Sequence, residues 1–418
     1  MMLSSTARRG VVGRIVLAVT AVSTLVVLTG CSSAGTTNSN DKAVTMLSWD
    51  TKATMQPLFD EFKKQTGYTV DASYAPPVAS YIQKLQTQLG SNTAPDVFII
   101  TSENKAQIMN NQLAKDQSNE AWMSNIAPTA KKTYTKDGKI YGTAVSSWGG
   151  GIVYNKALLA KVGFSEHPKT WKEFLDLCTK LKDAGVQPFY EAADGLPQTI
   201  DALVGIENDK RDGKLDSEIW SGKTTFAKTW TPALKQYNEL YTSGLVPRSM
   251  SGSTYDQASK EFEQGKVAMF AGASWGFSAF KQANPDLKLG FFAVPGNSST
   301  YWAGAVSPGY AINAKAHNST GAEKLIQFLQ SKEAMALYQK ETGAITTTKN
   351  YTPKLDPALD PLVTAVRDGD FYLPQTSWPT NSDVMATTAT ALVQQMINGK
   401  LTPAQVAQQL DSKLASLK

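Results

Sequence analysis

The hydrophobic pattern along the chain alternates between strand-like and helix-like segments. Residues 44–49 form a short apolar run, and Val97–Ile100 form a continuous one, which is typical of a strand buried on both faces of a parallel sheet. Between these runs, apolar residues recur at the spacing of one helix face at Met55, Leu58, Phe59 and Phe62. Gly67 follows as a helix stop, residues 68–74 alternate like a strand, and a second helical stripe ends at Gly90. This order of segments predicts an α/β fold.

Two later segments carry the start signals of helices. In Thr170-Trp171-Lys172-Glu173, the threonine and the glutamate have the spacing of a capping box. Thr402-Pro403-Ala404-Gln405 combines an N-cap residue, a proline at the first helical position and a glutamine at the third. We therefore expect helices to begin at Trp171 and at Pro403.

The first 30 residues have the pattern of a secretory signal and are excluded from the fold. Arg8, Arg9 and Arg14 form a basic start, and residues 15–28 form an apolar core that is shorter than the ~20 residues of a membrane span. Leu28-Thr29-Gly30-Cys31 resembles the bacterial lipobox, in which the signal is cut before the cysteine and the cysteine is lipidated. We predict a lipoprotein signal peptide at residues 1–30, a lipid on Cys31 that anchors the protein to the outer face of the cell membrane, and a flexible tether at residues 31–42.

Composition excludes several classes of protein and site. Without the three signal arginines, 38 basic residues stand against 36 acidic ones, and no block of like charge indicates a nucleic-acid partner. Cys178 is the one cysteine besides Cys31, so we expect no disulfide and a buried, inert thiol. His167 and His317 lie far apart in the sequence, so no metal site or cofactor is predicted. About 390 residues remain after the signal, more than one ordinary core holds, and two lobes are expected.

Eight short motifs along the chain resemble, in order, those of the family-one extracellular solute-binding proteins, the group that includes maltose-binding protein. They are Phe59-Asp60-Glu61-Phe62 before Gly67, Pro95-Asp96-Val97-Phe98 after Gly90, Lys139-Ile140-Tyr141-Gly142, Tyr154-Asn155-Lys156, Pro168-Lys169-Thr170-Trp171-Lys172-Glu173-Phe174, Gly265-Lys266-Val267-Ala268-Met269, Pro295-Gly296 and Tyr310-Ala311-Ile312-Asn313.

The resemblance implies a two-lobed, periplasmic-binding-protein-like fold of type II. The ligand cleft would lie between the lobes, and crossing segments would form the hinge. We expect lobe 1 to comprise residues 43–146 and 299–332, and lobe 2 to comprise residues 147–298 and 333–418. The implied function is that of a monomeric substrate-binding lipoprotein of an ABC transporter, which captures a sugar or oligosaccharide by lobe closure and delivers it to membrane permease subunits.

A sugar site needs aromatic rings for flat C–H patches and forked polar side chains for hydroxyls. The resemblance suggests Trp275 and Trp378 as stacking residues and Glu103 as a hydroxyl-binding acid. Position along the chain adds further candidates, which lie beside the expected crossings, at the end of the first strand or in a loop expected to line the cleft of lobe 2. These are Trp49, Asp50, Trp148, Glu191, Asp194, Trp302 and Gly304. In contrast, Trp122, Trp171, Trp220 and Trp230 fit packing within the lobes.

Three other interpretations stay open at this point. The ligand of the importer could be a polyamine, a metal or a peptide. Glu103, Glu191 and Asp194 could serve as the paired acids of a glycosidase. Gly272-Ala273-Ser274-Trp275-Gly276 also fits a serine-hydrolase elbow, with Asp286 and His317 following in hydrolase order. The family resemblance favours a binding protein that is not an enzyme.

Overall fold

Two β-sheets organise the part of the chain that the computed structural model describes, residues 42–418. The predicted signal peptide, Cys31 and all but the last residue of the predicted tether lie outside this part. In chain order the strands are β1 (Ala43–Ser48), β2 (Thr69–Tyr74), β3 (Val97–Ile100), β4 (Thr135–Lys136), β5 (Lys139–Ile140), β6 (Thr143–Ala144), β7 (Ser146–Asn155), β8 (Gln187–Tyr190), β9 (Val267–Ala273), β10 (Leu289–Phe292), β11 (Val294–Pro295), β12 (Thr300–Val306), β13 (Gly309–Ile312), β14 (Ile345–Thr346) and β15 (Phe371–Tyr372).

Helices alternate with these strands through the described residues, as the predicted α/β class requires. They are α1 (Lys52–Thr66), α2 (Val78–Gly90), α3 (Lys105–Asn110), α4 (Pro128–Thr133), α5 (Lys156–Lys161), α6 (Trp171–Asp183), α7 (Gln198–Asp209), α8 (Leu215–Trp220), α9 (Phe226–Thr229), α10 (Thr231–Thr242), α11 (Tyr255–Glu263), α12 (Phe277–Ala283), α13 (Ser319–Leu329), α14 (Lys332–Thr342), α15 (Asp360–Asp368), α16 (Pro374–Ser377), α17 (Ser382–Ile397) and α18 (Pro403–Ser416). Within residues 42–418, no helix combines the length and the apolar character that a bilayer crossing requires.

The predicted helix starts at Trp171 and Pro403 are confirmed. Each helix opens with a complete capping box, in which the threonine side chain accepts from the third helical N–H and the third side chain accepts from the threonine N–H. Cys178 lies on the buried face of α6, and burial raises the pKa of its thiol far above the usual range. This agrees with the predicted inert thiol.

The first sheet has the strand order β2-β1-β3-β13-β6. β1 runs parallel to β2 and β3, whereas β13 is antiparallel to β3 and β6. All four residues of Val97–Ile100 are buried, as their continuous apolar run predicts. Because β1 and β3 are parallel, the residues that follow their carboxyl ends emerge at the same edge of the sheet.

The second sheet is built around β7, the longest described strand. Its main order is β11-β12-β7-β9-β8, while β10 and β14 also pair with β7 and β15 pairs with β12. Helices α6, α7, α10 and α18 contribute buried apolar residues to the core on this sheet, and α1, α13 and α14 contribute to the core of the first. Each sheet therefore has its own hydrophobic core, as a two-lobed fold requires.

Three connections join the two sheets. The chain passes from β6 to β7 through Val145, from β12 to β13 through Ser307 and Pro308, and from α14 to β14 through residues 343–344. Two of these passages differ from the predicted lobe division. The prediction placed residues 299–332 in lobe 1, but β12 belongs to the second sheet, where its residues 303–306 pair with residues 147–150 of β7. The prediction placed residues 333–418 in lobe 2, but Ala334, Met335 and Tyr338 of α14 pack in the core of the first sheet.

Three consecutive glycines let β7 pack closely on both of its faces. A Cβ on Gly149 would lie 2.3 Å from Leu362 Cδ1, one on Gly150 would lie 2.1 Å from Gln198 Oε1, and one on Gly151 would lie 2.7 Å from the Trp302 ring. Distances this short are below those of real Cβ contacts, so larger residues at these positions would displace their neighbours.

Candidate functional site

A cavity of about 320 Å³ lies where the two sheets face each other, and we call it the central cavity. From the first sheet's side it is lined by Trp49, Val78, Thr101, Ser102 and Glu103, and from the second sheet's side by Trp148, Glu191, Ala192, Asp194, Gly195, Leu196, Gln198, Asp201, Tyr255, Ala271, Leu373 and Gln375, with Ser307 at a crossing. Its volume falls within the range of small-molecule pockets, and its position between two cores is where such pockets form.

A second cavity, of about 410 Å³, continues from the central one and is called the side cavity here. The two share Glu103, Asp194, Gly195, Leu196 and Gln375. Beyond these, helix α17 lines the side cavity with Thr387, Thr390 and Gln394 among others. The shared residues make one elongated cleft from the two cavities, which gives room for a ligand longer than one compact ring.

The first sheet presents its cleft residues at the carboxyl ends of β1 and β3. The Trp49 ring packs edge-on against Tyr81 with ring centres 6.0 Å apart, which holds one face of the indole in place. After β3, Thr101 N donates to Asn104 Oδ1 over 2.8 Å, and this closes a tight turn that carries Glu103. Strand ends of this kind are where open α/β sheets bind ligands.

The second sheet contributes a half-buried aromatic ring and a buried carboxyl. Trp148 lies on β7 beside the β6–β7 crossing, where it pairs with Ala305 of β12. Glu191 follows β8 directly and is 2% exposed. Thr199 N, in the first turn of α7, donates to Glu191 Oε1 over 2.9 Å, so a helix N-terminus supports this carboxyl. The other oxygen, Oε2, makes no hydrogen bond of ordinary geometry among residues 42–418, although the Tyr237 hydroxyl lies near this carboxyl.

Asp201 forms a carboxyl pair with Glu191 in the wall of the central cavity. It lies in the first turn of α7, is 0% exposed, and neither of its oxygens has a hydrogen-bond partner in the described part of the chain. Burial raises the pKa of Glu191 to about 7. Burial, followed by the neighbouring Glu191 charge, raises the pKa of Asp201 well above its ordinary value. Both shifts favour the protonated forms, so the pair binds protons more tightly than two exposed carboxyls do.

Sequence reasoning missed several residues of the cavity wall, among them Asp201, Gln198 and Tyr255. A usable signal for Asp201 was its position inside the otherwise apolar run Ile200-Asp201-Ala202-Leu203-Val204, since a lone acid on a buried helix face needs an explanation. Tyr255 begins α11, and its N–H donates to Asp194 Oδ2 over 3.1 Å. Nothing in the local sequence pattern distinguishes Gln198 or Tyr255 from ordinary helix-start residues.

Five of the predicted site residues line the central cavity, namely Trp49, Glu103, Trp148, Glu191 and Asp194. Asp50 and Trp275 lie nearby but outside its lining. Asp50 Oδ2 accepts a hydrogen bond of 3.4 Å from the Tyr338 hydroxyl, and burial raises the pKa of Asp50 to about 6. Trp275 is 45% exposed, and its ring centre lies 4.8 Å from that of Tyr255, so one aromatic ring separates it from the cavity.

The structure places Trp302, Gly304 and Trp378 away from the central cavity. Trp302 is 8% exposed and stacks on Phe291 at 5.5 Å, over the space left by Gly151. A Cβ on Gly304 would lie 2.6 Å from the carbonyl oxygen of Trp148, so this glycine permits the β7–β12 pairing. Trp378 is 3% exposed and packs among Trp220, Phe226 and Trp230. Gly304 and Trp378 border a different cavity, of about 690 Å³. Packing therefore accounts for Trp302, whereas the predicted ligand role of Gly304 and Trp378 stays a prediction, because both border this other cavity.

The three residues of the hydrolase alternative, Ser274, Asp286 and His317, do not form a catalytic triad. Ser274 follows β9 of the second sheet, and its hydroxyl has no hydrogen-bond partner among the described residues. His317 follows β13 of the first sheet and borders a separate cavity beside Leu89 and Asn92. No hydrogen bond among the described residues joins Ser274, Asp286 and His317. In residues 42–418, no three His, Cys, Asp or Glu side chains are grouped so as to hold a metal ion.

Comparison with known proteins agrees with this geometry. Residues 57–365 match the sequence profile of a family described as bacterial extracellular solute-binding protein. The multiple sugar-binding protein of Streptococcus mutans is 25% identical over 399 residues, which cover 90% of this chain and 92% of that protein. The diacetylchitobiose binding protein DasA of Streptomyces coelicolor is 26% identical over 283 residues, which cover 65% and 63% of the two chains.

The fold also matches solved structures. A family 1 extracellular solute-binding protein from Bifidobacterium longum subsp. infantis superposes with a TM-score of 0.78 at 28% identity, and the match covers 90% of this chain and 99% of that one. The profile match spans more than half of the sequence, and the two cores with a cleft between them have the architecture of these relatives. The chain therefore belongs to the bacterial extracellular solute-binding proteins, a family of two-lobed binding proteins and not of enzymes.

Proposed function

We propose that this protein captures a sugar or short oligosaccharide for an ABC importer. The observation that carries the proposal is the central cavity, in which indole rings from opposite sides, Trp49 and Trp148, accompany carboxyl and carboxamide side chains. Relatives named for binding multiple sugars and diacetylchitobiose support the same ligand class. The protein binds its ligand and performs no turnover.

Each part of the cleft has a role in this proposal. Sugar rings carry flat C–H patches, which stack on Trp49 and Trp148, and hydroxyl groups, which donate to Glu103, Asp194 and the Glu191–Asp201 pair. Gln198 and Gln375 supply amides that both donate and accept. The side cavity and the exposed ring of Trp275 extend the surface for further sugar units. Asp50 follows Trp49 directly and is held outside the cavity lining by the Tyr338 hydroxyl.

The capture step is a closure of the two lobes. The sheet connections support lobe boundaries near Val145, Ser307 and Gly343, and these connections form the hinge. Closure brings Trp49 and Trp148 together around the ligand, because they belong to different lobes. The closed form then docks as a monomer on membrane permease subunits, while a lipid on Cys31 keeps the protein at the outer face of the membrane.

Titration calorimetry with a panel of mono-, di- and oligosaccharides tests this function. We expect saturable binding confined to a few related sugars, and Trp148→Ala should weaken it by about 10-fold or more, because a stacked aromatic contributes over 1 kcal/mol. Trp122 is the matched control. It is also half-buried, but its indole N–H donates to Thr143 in the first lobe and it does not line the cleft. Absence of binding to every sugar would overturn the proposed ligand class.

A further inference from the structure

The central cavity is lined by acidic side chains and by no basic ones among the described residues. Four carboxyl side chains face it, those of Glu103, Glu191, Asp194 and Asp201, and no lysine, arginine or histidine is among the described residues that line it. Ligand hydroxyls can donate to these carboxyls, but they bring no positive charge to balance the ionised groups. The excess points to a ligand that brings positive charge with it.

A second, independent feature is the set of buried acceptors without partners. Glu191 Oε2, both carboxyl oxygens of Asp201 and Gln198 Oε1 are buried in the cavity wall, and none makes a hydrogen bond of ordinary geometry within the described part of the chain, although the Tyr237 hydroxyl lies near the Glu191 carboxyl. Buried acceptors of this kind are costly unless a partner satisfies them. These four acceptor atoms belong to the first turn of α7, which carries Gln198 and Asp201, and to Glu191, the residue that follows β8.

A protonated amine fits this place better than a hydroxyl. A hydroxyl offers one donor and leaves the buried charge uncompensated, whereas an ammonium group offers three donors and one positive charge. A metal ion is a weaker alternative, because residues 42–418 hold no group of three or more ligating His, Cys, Asp or Glu side chains. The indole rings of Trp49 and Trp148 line the same cavity and favour an amine that is part of a molecule with flat apolar faces.

We propose that the natural ligand is an amino sugar or an oligosaccharide that contains one, and that its free ammonium group binds between Glu191 and Asp201. This inference rests on the proposed sugar-binding function and specifies its substrate class. In the free protein, the pair keeps a proton. The ammonium replaces that proton, so both carboxyls become ionised when the ligand binds.

The surroundings of the pair allow this exchange to be measured. The other ionisable groups that act on the pair are the phenols of Tyr237 and Tyr241 on α10 and of Tyr372 in β15. Burial raises the pKa of each phenol above its ordinary value, so these groups stay neutral near pH 7. Glu103 and Asp194 share the cavity but are exposed. Protons released on binding at pH 7 would therefore come from the Glu191–Asp201 pair or from the ligand.

The test is calorimetry at pH 7 on matched ligands that differ only in the group at carbon 2. The panel pairs glucosamine with glucose, galactosamine with galactose, and chitobiose with both cellobiose and diacetylchitobiose, with spermidine as a non-sugar amine. We expect at least one free-amine sugar to bind about 10-fold or more tightly than its neutral counterparts. Titrations in two buffers of different ionisation enthalpy should show proton release with the amine sugar and not with the neutral one.

Two variants test whether the preference for amine sugars depends on the Glu191–Asp201 pair. Asp201→Asn and Glu191→Gln should each reduce the ratio of amine-sugar to neutral-sugar affinity toward one. Asp216→Asn is the matched control, because Asp216 is also a buried carboxyl with a raised pKa, but it accepts from the Tyr372 hydroxyl and lies outside the cavity lining. It should leave the ratio unchanged. The ratio is measured on folded protein, so a variant that fails to fold is replaced by the other member of the pair.

The outcomes separate the two proposals. Neutral sugars that bind as well as their amine counterparts in every pair would overturn the amino-sugar inference and leave sugar binding intact. Spermidine binding more tightly than every sugar would overturn the saccharide assignment and keep the cation site. No binding by any member of the panel would overturn both.

Discussion

Gly150 and Gln198 occupy adjoining space so closely that no side chain fits between them. A Cβ on Gly150 would approach Gln198 Oε1 to 2.1 Å and its Cδ to 3.0 Å. Gly150 lies on β7, two residues after Trp148, and Gln198 opens α7 and lines the central cavity. The glycine on the strand therefore determines where a cleft side chain lies.

Replacing Gly150 by alanine should weaken ligand binding more than folding. The added methyl group forces Gln198 out of its position in the cavity wall, and we expect an affinity loss of about 10-fold, roughly the energy of one hydrogen bond. Gly90→Ala is the control, because no atom lies within 4 Å of a Cβ there. Calorimetry and thermal unfolding on both variants measure the two effects. Equal affinity for the Gly150 variant and the wild type would contradict this role of the glycine.

Stability without ligand should rise as the pH falls from about 8 to about 5. Burial raises the pKa of Glu191 and of Asp216 to about 7 and that of Asp50 to about 6. A carboxyl with a raised folded pKa binds more protons when folded, so the folded state gains stability as the pH falls through that value toward the ordinary range near 4 to 4.5. Burial acts to raise the pKa of Asp96, but hydrogen bonds from Asn318 and Thr45 outweigh it and lower the pKa. Carboxyls of this kind change the stability only below this pH window.

Thermal unfolding of the wild type and Glu191→Gln across pH 5 to 8 measures this linkage. The amide cannot titrate, so the variant should show a shallower rise of Tm on acidification. The variant should gain most over the wild type near pH 8, where the buried wild-type carboxylate is charged. Parallel curves over the whole range would show that Glu191 has an ordinary pKa in the folded protein.

Trp302→Ala should destabilise the fold and spare ligand affinity. The Trp302 ring fills the space above Gly151 and stacks on Phe291, and removal of a buried tryptophan costs about 3 to 5 kcal/mol. Trp148→Ala should show the reverse pattern, with a large affinity loss and a smaller change in unfolding free energy. Urea unfolding monitored by far-ultraviolet circular dichroism, together with calorimetry, distinguishes the two. A Trp302 variant with normal stability and no binding would restore this residue to the site.

Trp275→Ala should affect long ligands more than short ones. The ring is 45% exposed, lies outside the central cavity lining and contacts Tyr255, which lines it. We expect the affinity for a tetrasaccharide to fall about 5-fold to 10-fold, and that for the matching disaccharide to change little. A comparison of the two ligands on the same variant supplies the internal control. An equal loss for both would place Trp275 at the primary sugar position.

Local pattern was sufficient for the elements and for part of the site. The buried strand Val97–Ile100 and the helices beginning at Trp171 and Pro403 follow from contacts within a few residues of each other, which a single segment encodes. Trp49 is predictable because it follows a strand, and strand ends meet at one edge of a parallel sheet, whereas Glu103 follows from the family resemblance. Trp171 and Trp230, which are predicted to pack within the lobes, are both buried.

The alternation of strands and helices, the caps and the family can be recognised from the sequence, because these depend on short-range periodicity and on motif order. Which tryptophans face the cleft depends on tertiary packing, because Trp148 and Trp302 are both strand residues and differ in what packs above them. Tertiary contacts also place Thr300–Val306 in the second sheet and bring Glu191 and Asp201 into one cavity wall. Strand pairing and helix docking join residues that are distant along the chain, and no local pattern specifies such partners.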